Sequence, residues 1–208
     1  MKKNKEIIGI YKYGTCNYYS LSCALDKIRI KYFISENLKD LTSFKKIIFP
    51  GVGSIKNFNS EEKKINRNIL NKFILNGGYL YGICLGMQFF LGHSEESKSK
   101  NLNLLNGRTA AFLGKSKMNM NVGCREIFQE KKSKIFDLLI DKNKKKFYFL
   151  HKYYCDVEEP NIEKVYFNFL DKKYLAGYFK NNILGTQFHP ELSGEYGLKF
   201  LYNFCKKL

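Results

Sequence analysis

The sequence predicts an α/β fold, with a mixed, largely parallel central sheet flanked by helices, in a single domain over 1–208. Three observations carry that expectation. Short apolar runs alternate with segments of helical period through the first half of the chain. The second half is richer in strand patterns, which follow one another across short turns. No linker, repeat or low-complexity stretch divides the 208 residues, a length that can bury one sizeable core.

The elements follow in order. Residues 6–11 (EIIGIY) read as a first strand, and 18–27 carry apolar spacing suited to a helix, with Asn17 placed to cap it. Residues 32–34 and 46–49 (KIIF) are short runs typical of strands buried on both faces. A helix is expected over 61–75, closed by Gly77 and Gly78. A strand at 79–83 then leads into a helix at 85–91. Alternation of this kind implies right-handed crossovers and parallel pairing. Strands are expected at 147–150, 165–169, 175–180 and 183–188, before a last helix from about 195 to 206.

Composition excludes several classes of function. The formal net charge is +17, from 36 Lys and Arg against 19 Asp and Glu. The lysines are dispersed, with only short runs such as KNKKK at 142–146, and no nucleic-acid reader motif accompanies them. Lys, Asn, Ile, Phe and Tyr are abundant together while Trp is absent, as an AT-rich coding sequence would produce. Nucleic acid is therefore not an expected partner. No apolar stretch reaches eighteen residues, so no membrane partner or span is expected. The N-terminus lacks a small-residue cleavage site, and a cytoplasmic location follows. Six scattered cysteines without a C-x-x-C pair predict free thiols rather than a zinc site, and no metal or cofactor is expected.

The chemistry concentrates at GICLG (82–86), which fits the nucleophile-elbow pattern G-x-Nuc-x-G. A strand ends, the chain turns sharply into a helix, and glycines on both sides avoid collision with neighbouring backbone. Cys84 is thereby lifted to the strand end at a helix N-terminus, where the helix dipole favours a thiolate. The N–H of Leu85 is an orphan donor of that helix and can stabilise an oxyanion. A base is needed, and the stretch GTQFHPELS (185–193) supplies one. Pro190 keeps His189 extended, and in extended backbone residues two apart face the same side, so Glu191 can orient the imidazole. Cys84, His189 and Glu191 thus form a nucleophile, base and orienter set. The loop Pro50-Gly51-Val52-Gly53 follows a strand, and its glycines let the Val52 N–H turn into a strand-end pocket as a second oxyanion donor. His93 and the remaining cysteines, Cys124 excepted, are assigned to structure.

The set FPGVGSI, GICLGMQFF, FYFLHKYY and GTQFHPELS, with the opening YGTCNYYSLSCALDK, resembles the class I (triad) glutamine amidotransferases. Within them it is most similar to the glutaminase subunits of imidazole glycerol phosphate synthases. The resemblance covers about residues 7–204 and implies the flavodoxin-like fold of that family. It implies hydrolysis of L-glutamine to glutamate and ammonia through a glutamyl thioester on Cys84. Substrate contacts are implied for Gly53, Gln88, Glu96, Lys152 and Tyr153. Lys152 stands where the family usually has Ser or Thr, a change that a backbone contact tolerates. The resemblance further implies a synthase partner, a (β/α)₈-barrel cyclase in histidine biosynthesis, which receives the ammonia. The chain departs from the family at Lys12, Cys16, Cys124, Arg125 and Leu192, which cluster on the implied docking face. Two alternatives stay open: a paralogous subunit supplying ammonia for surface-polysaccharide amidation, and a stand-alone Cys-His hydrolase.

Overall fold

A computed structural model of the chain describes residues 4–14, 16–55, 67–96, 101–112, 120–141 and 146–208. The first half builds β1 (Asn4–Tyr11), α1 (Tyr18–Lys27), β2 (Lys31–Ser35), α2 (Leu38–Leu41), β3 (Phe44–Phe49), α3 (Arg67–Leu75), β4 (Tyr79–Ile83) and α4 (Leu85–Phe89). Its strands lie in the order β2-β1-β3-β4, and every neighbouring pair is parallel. Asn17 caps α1 as expected, its side chain accepting the Ser20 N–H at 3.2 Å. The helix expected over 61–75 is present from Arg67, and 61–66 lie outside the described residues. The helix expected to reach residue 91 ends at Phe89.

The second half contributes β5 (His93–Ser94), β6 (Gly107–Ala111), β7 (Asn121–Phe128), α5 (Lys134–Leu139), β8 (Lys146–His151), β9 (Tyr153–Val157), β10 (Glu163–Phe169), β11 (Lys172–Lys180), β12 (Ile183–Thr186) and α6 (Gly194–Lys207). Strand β12 returns to the centre and pairs in parallel with β4, with Thr186 opposite Ile83. From β12 outward the sheet runs β11-β10-β7-β8, and each of these pairs is antiparallel. The mixed character expected from the sequence is thus split in space, parallel on one side of β12 and antiparallel on the other. Strands β5, β6 and β9 form a separate small sheet.

Burial explains the composition of the central strands. Ile48, Tyr81 and Ile83 face a core with Leu21 and Leu25 of α1, Phe136 of α5 and Phe200, Leu201 and Phe204 of α6. Ile47, Phe49 and Leu80 face the opposite core with Leu41 of α2, Phe73 of α3 and Met87 of α4. Both faces of β3 and β4 are covered, which is why they read as continuous apolar runs. Full burial of each large side chain on α6 contributes on the order of 2 kcal/mol. Lys46 is the exception inside β3: its buried ammonium donates to the Cys205 carbonyl at 2.6 Å, satisfying an orphan acceptor at the end of α6.

Several elements were not anticipated from sequence. Strand β7 contains Gly123 at φ +113° and its exposure alternates, so its apolar signal is weak. Helix α2 is a single turn. Helix α5 was legible in principle, because Ser133 caps it by accepting the Phe136 N–H at 3.0 Å.

Candidate active site

Three adjacent parallel strands end side by side, and each end carries one part of the site. Strand β3 leads into Pro50–Gly53, β4 into Cys84, and β12 into Gln187 and His189. The parallel register makes this obligatory: Phe49 lies opposite Gly82, and Ile83 opposite Thr186. Carboxyl ends of parallel strands at a change of topology are where open α/β sheets hold their sites.

Cys84 occupies the turn between β4 and α4 with φ 50° and ψ −101°, a backbone conformation L-residues rarely adopt. The turn closes only because its flanks lack side chains. A Cβ at Gly82 would stand 2.5 Å from the Gly86 carbonyl carbon, and one at Gly86 would overlap the Phe49 carbonyl oxygen. The Cys84 N–H donates to Thr186 O at 2.7 Å, tying the elbow to β12. The sulfur lies 3.8 Å from Leu150 O and 3.5 Å from Gln187 Nε2.

His189 is held from several sides. Its N–H donates to Tyr148 O at 2.8 Å, and its carbonyl accepts the Ser193 hydroxyl at 2.6 Å. Ring Nδ1 pairs with Glu191 Oε1 at 2.8 Å, and both side chains are buried. Nε2 is buried and has no hydrogen-bond partner among the described residues. A histidine kept for packing alone would pair that nitrogen. Burial works against the charged ring. The Cys84 sulfur in its anionic form and the Glu191 carboxylate outweigh burial, and the His189 pKa stands well above the usual histidine range.

A cavity of about 440 Å³ opens at these strand ends, within the usual size of small-molecule sites. Its lining brings Cys84 together with Val52, Gly53, Leu85, Gln88, Glu96, Lys152 and Tyr153, all singled out from the sequence, with His151 of the FYFLHKYY stretch, and adds Ser54, Met120 and Leu150. His189 and Glu191 are not in the lining. Glu96 Oε2 accepts the Ile55 N–H at 2.9 Å, so this carboxylate also anchors the far end of the loop after β3. Gln88 lines the cavity while its Nε2 donates to Tyr153 O at 3.1 Å and to Gln187 Oε1 at 3.2 Å.

Sequence reasoning missed three buried polar groups. Tyr13 donates its hydroxyl to Pro50 O and so tethers the start of the loop after β3. Asn121 Nδ2 meets His151 Nε2 at 2.9 Å. Gln187 touches the Cys84 sulfur. Glu191 reaches the ring from a 3₁₀ turn, Pro190–Leu192, and not from the extended backbone that the sequence led us to expect, so the alternation gave no sound signal for Gln187.

Comparisons with known proteins agree with this architecture. The family described as Glutamine amidotransferase class-I matches residues 11–208. Among curated proteins, the chain is 33% identical over 202 residues to the imidazole glycerol phosphate synthase subunit HisH of Chlorobium chlorochromatii (strain CaD3), covering 96% of this chain and 100% of the relative. It is 35% identical over 210 residues to the HisH subunit of Geobacillus sp. (strain WCH70), covering 96% of each. Among solved structures, PurLQS from Thermotoga maritima aligns with TM-score 0.72 at 18% identity, over 100% of this chain and 99% of that one. A crystal structure of a glutamine amidotransferase aligns with TM-score 0.71 at 14% identity, over 97% and 99% of the two chains. These two structures speak for the fold alone.

Proposed function

The chain belongs to the class I glutamine amidotransferase family, and from that premise we propose that it is the glutaminase subunit of an imidazole glycerol phosphate synthase, hydrolysing L-glutamine with Cys84 as nucleophile. The observation that carries this reading is the convergence of three neighbouring strand ends, with Val52 and Cys84 lining one cavity and the His189 ring buried within electrostatic reach of Cys84. The glutamine carboxamide enters the cavity with its carbon next to the Cys84 sulfur. The thiolate attacks, a C–S bond forms, and the carbonyl oxygen becomes an oxyanion received by the N–H groups of Val52 and Leu85. Collapse breaks the C–N bond, and the leaving nitrogen takes the proton held at His189 Nε2 to depart as ammonia. Water, losing its proton to the same nitrogen, then cleaves the thioester and releases glutamate. Glu191 holds the ring through Nδ1 and balances its charge. Gly53, Gln88, Glu96, Lys152 and Tyr153 line the space for the rest of the amino acid.

The whole chain acts as one glutaminase domain in the cytoplasm, and its ammonia passes to a partner subunit, a (β/α)₈-barrel cyclase. Met120, Val122 and Leu192 support a docking surface near the site, being large apolar side chains that are 42%, 47% and 43% exposed. The departures at Cys124, Arg125 and Leu192 fit a partner surface that has changed with them. The decisive experiment measures ammonia release from glutamine by the chain with its synthase. Changing Cys84→Ala is expected to lower turnover by at least about a thousandfold while glutamine still binds. Substantial residual turnover in that variant would refute the assignment.

A further inference from the structure

We propose that Gln187 is a further catalytic residue, whose side-chain N–H donates to the Cys84 sulfur and stabilises its anionic form. This rests on the reading of Cys84 as nucleophile.

Geometry fixes which end of the amide faces the sulfur. The Tyr153 carbonyl can only accept, so the Gln88 atom 3.1 Å away from it is Nε2. The same Nε2 is 3.2 Å from Gln187, and a donor there requires an acceptor opposite, so that Gln187 atom is Oε1. Gln187 Nε2 is then the atom left to face Cys84 Sγ, at 3.5 Å. Cys155 agrees independently: its thiol, with Sγ 3.7 Å from Gln187 Oε1, donates to the same oxygen. A flip of the Gln187 amide would break two contacts and set nitrogen against nitrogen at Gln88.

The chain of bonds extends upstream of Tyr153. His151 Nδ1 donates to the Tyr153 carbonyl at 2.7 Å, and Asn121 Nδ2 donates to His151 Nε2 at 2.9 Å. Asn121 Oδ1 accepts from Arg125 Nε at 3.0 Å. The carbonyl that orients Gln88 is thus itself held between two elements.

Gln187 is fully buried, and its own N–H is occupied by Ala176 O at 2.8 Å. An apolar side chain would fill such a place at less desolvation cost. What the amide adds is a fixed dipole at the sulfur. Two donors on Oε1 polarise the amide and strengthen its N–H groups. On another side the sulfur meets the Leu150 carbonyl, which accepts from a thiol but repels a thiolate. Loss of the thiol proton therefore shifts the favourable contact from Leu150 to Gln187. The titratable groups whose charges reach Cys84 are His189 after β12, Cys155 on β9 and Tyr13 in the loop after β1.

The deciding readouts use the intact chain without glutamine. Alkylation of Cys84 by iodoacetamide is followed against pH, with mass spectrometry separating it from the other cysteines. Gln187→Met keeps length and bulk but removes the donor. Its alkylation midpoint is expected to rise by about one pH unit, the size of a charge-assisted hydrogen bond to sulfur. At neutral pH its glutamine turnover is expected to fall about tenfold in kcat with KM little changed. If that variant does not fold, NMR of the wild-type chain decides: the Gln187 side-chain amide shift should titrate with the Cys84 midpoint. An unshifted alkylation midpoint in Gln187→Met, or an amide signal blind to that titration, overturns the proposal. Neither readout involves glutamine, so both hold their meaning even if Cys84→Ala retains turnover and the functional reading itself fails.

Discussion

Two buried histidines stand near Cys84, and their surroundings drive them in opposite directions. His189 faces anionic partners and is pushed up, whereas His151 lies among neutral dipoles and burial pushes it down to about 4. A hydrogen bond to the Tyr153 carbonyl opposes that fall and the charge of His189 adds to it. The bonds of His151 explain why it resists protonation. Nδ1–H donates to Tyr153 O, so Nε2 must accept from Asn121, and a proton on Nε2 would set two donors against each other. The consequence for stability has a definite sign. The unfolded chain binds this proton near pH 6.5 and the folded chain only near 4. The contribution is whole above 6.5, declines as pH falls toward 4, and is lost below that. It amounts to about 3 kcal/mol over the window. Urea unfolding of wild type and His151→Gln at pH 7 and pH 4.5 measures it. The variant should lose distinctly less stability between the two pH values, and parallel losses would contradict the assignment.

The elbow between β4 and α4 shows how an element imposes residue choice. The chain can reverse there only if α4 approaches β3 closely, and Gly86 is the point of closest approach, against the Phe49 carbonyl. Gly86→Ala is expected to destabilise the fold by about 3 kcal/mol, lowering the thermal midpoint by roughly 10 °C. A melting curve that matches wild type would show that the loop after β3 yields instead. The G-x-C-x-G spacing made this turn visible without coordinates, because the Gly82 clash lies within the turn itself, whereas the contact that demands Gly86 comes from β3. The glutamine at 187 was less visible, since its meaning depends on Gln88 and Cys84, about a hundred residues away.

At the scale of the molecule, the antiparallel half of the sheet builds one wall of the site. Strand β8 carries Leu150 and His151 to the cavity, Asn121 of β7 backs His151, and exposed Val122 and Cys124 lie on the same β7. The surface assigned to the partner and the bonds behind Tyr153 therefore share a strand. Glutaminase activity of the isolated chain is expected to be low and to rise roughly 10- to 100-fold with the cognate synthase and its ligand. Steady-state ammonia release with and without that subunit checks this, and full activity of the chain alone would contradict it.

Local rules were enough to read from the sequence the α/β alternation, the Asn17 cap, the strand-to-helix turn at Cys84 and the pairing of His189 with Glu191, although a 3₁₀ turn and not extended backbone brings that pair together. Period, capping and steric exclusion act over a few residues, and those residues are adjacent in the chain. Only the tertiary structure decided that β12 inserts beside β4, that the sheet turns antiparallel beyond it, and that Gln187 points its amide at the sulfur. Strand order and the direction of a buried amide depend on groups far apart in sequence, whose mutual contacts exist only once the chain has folded.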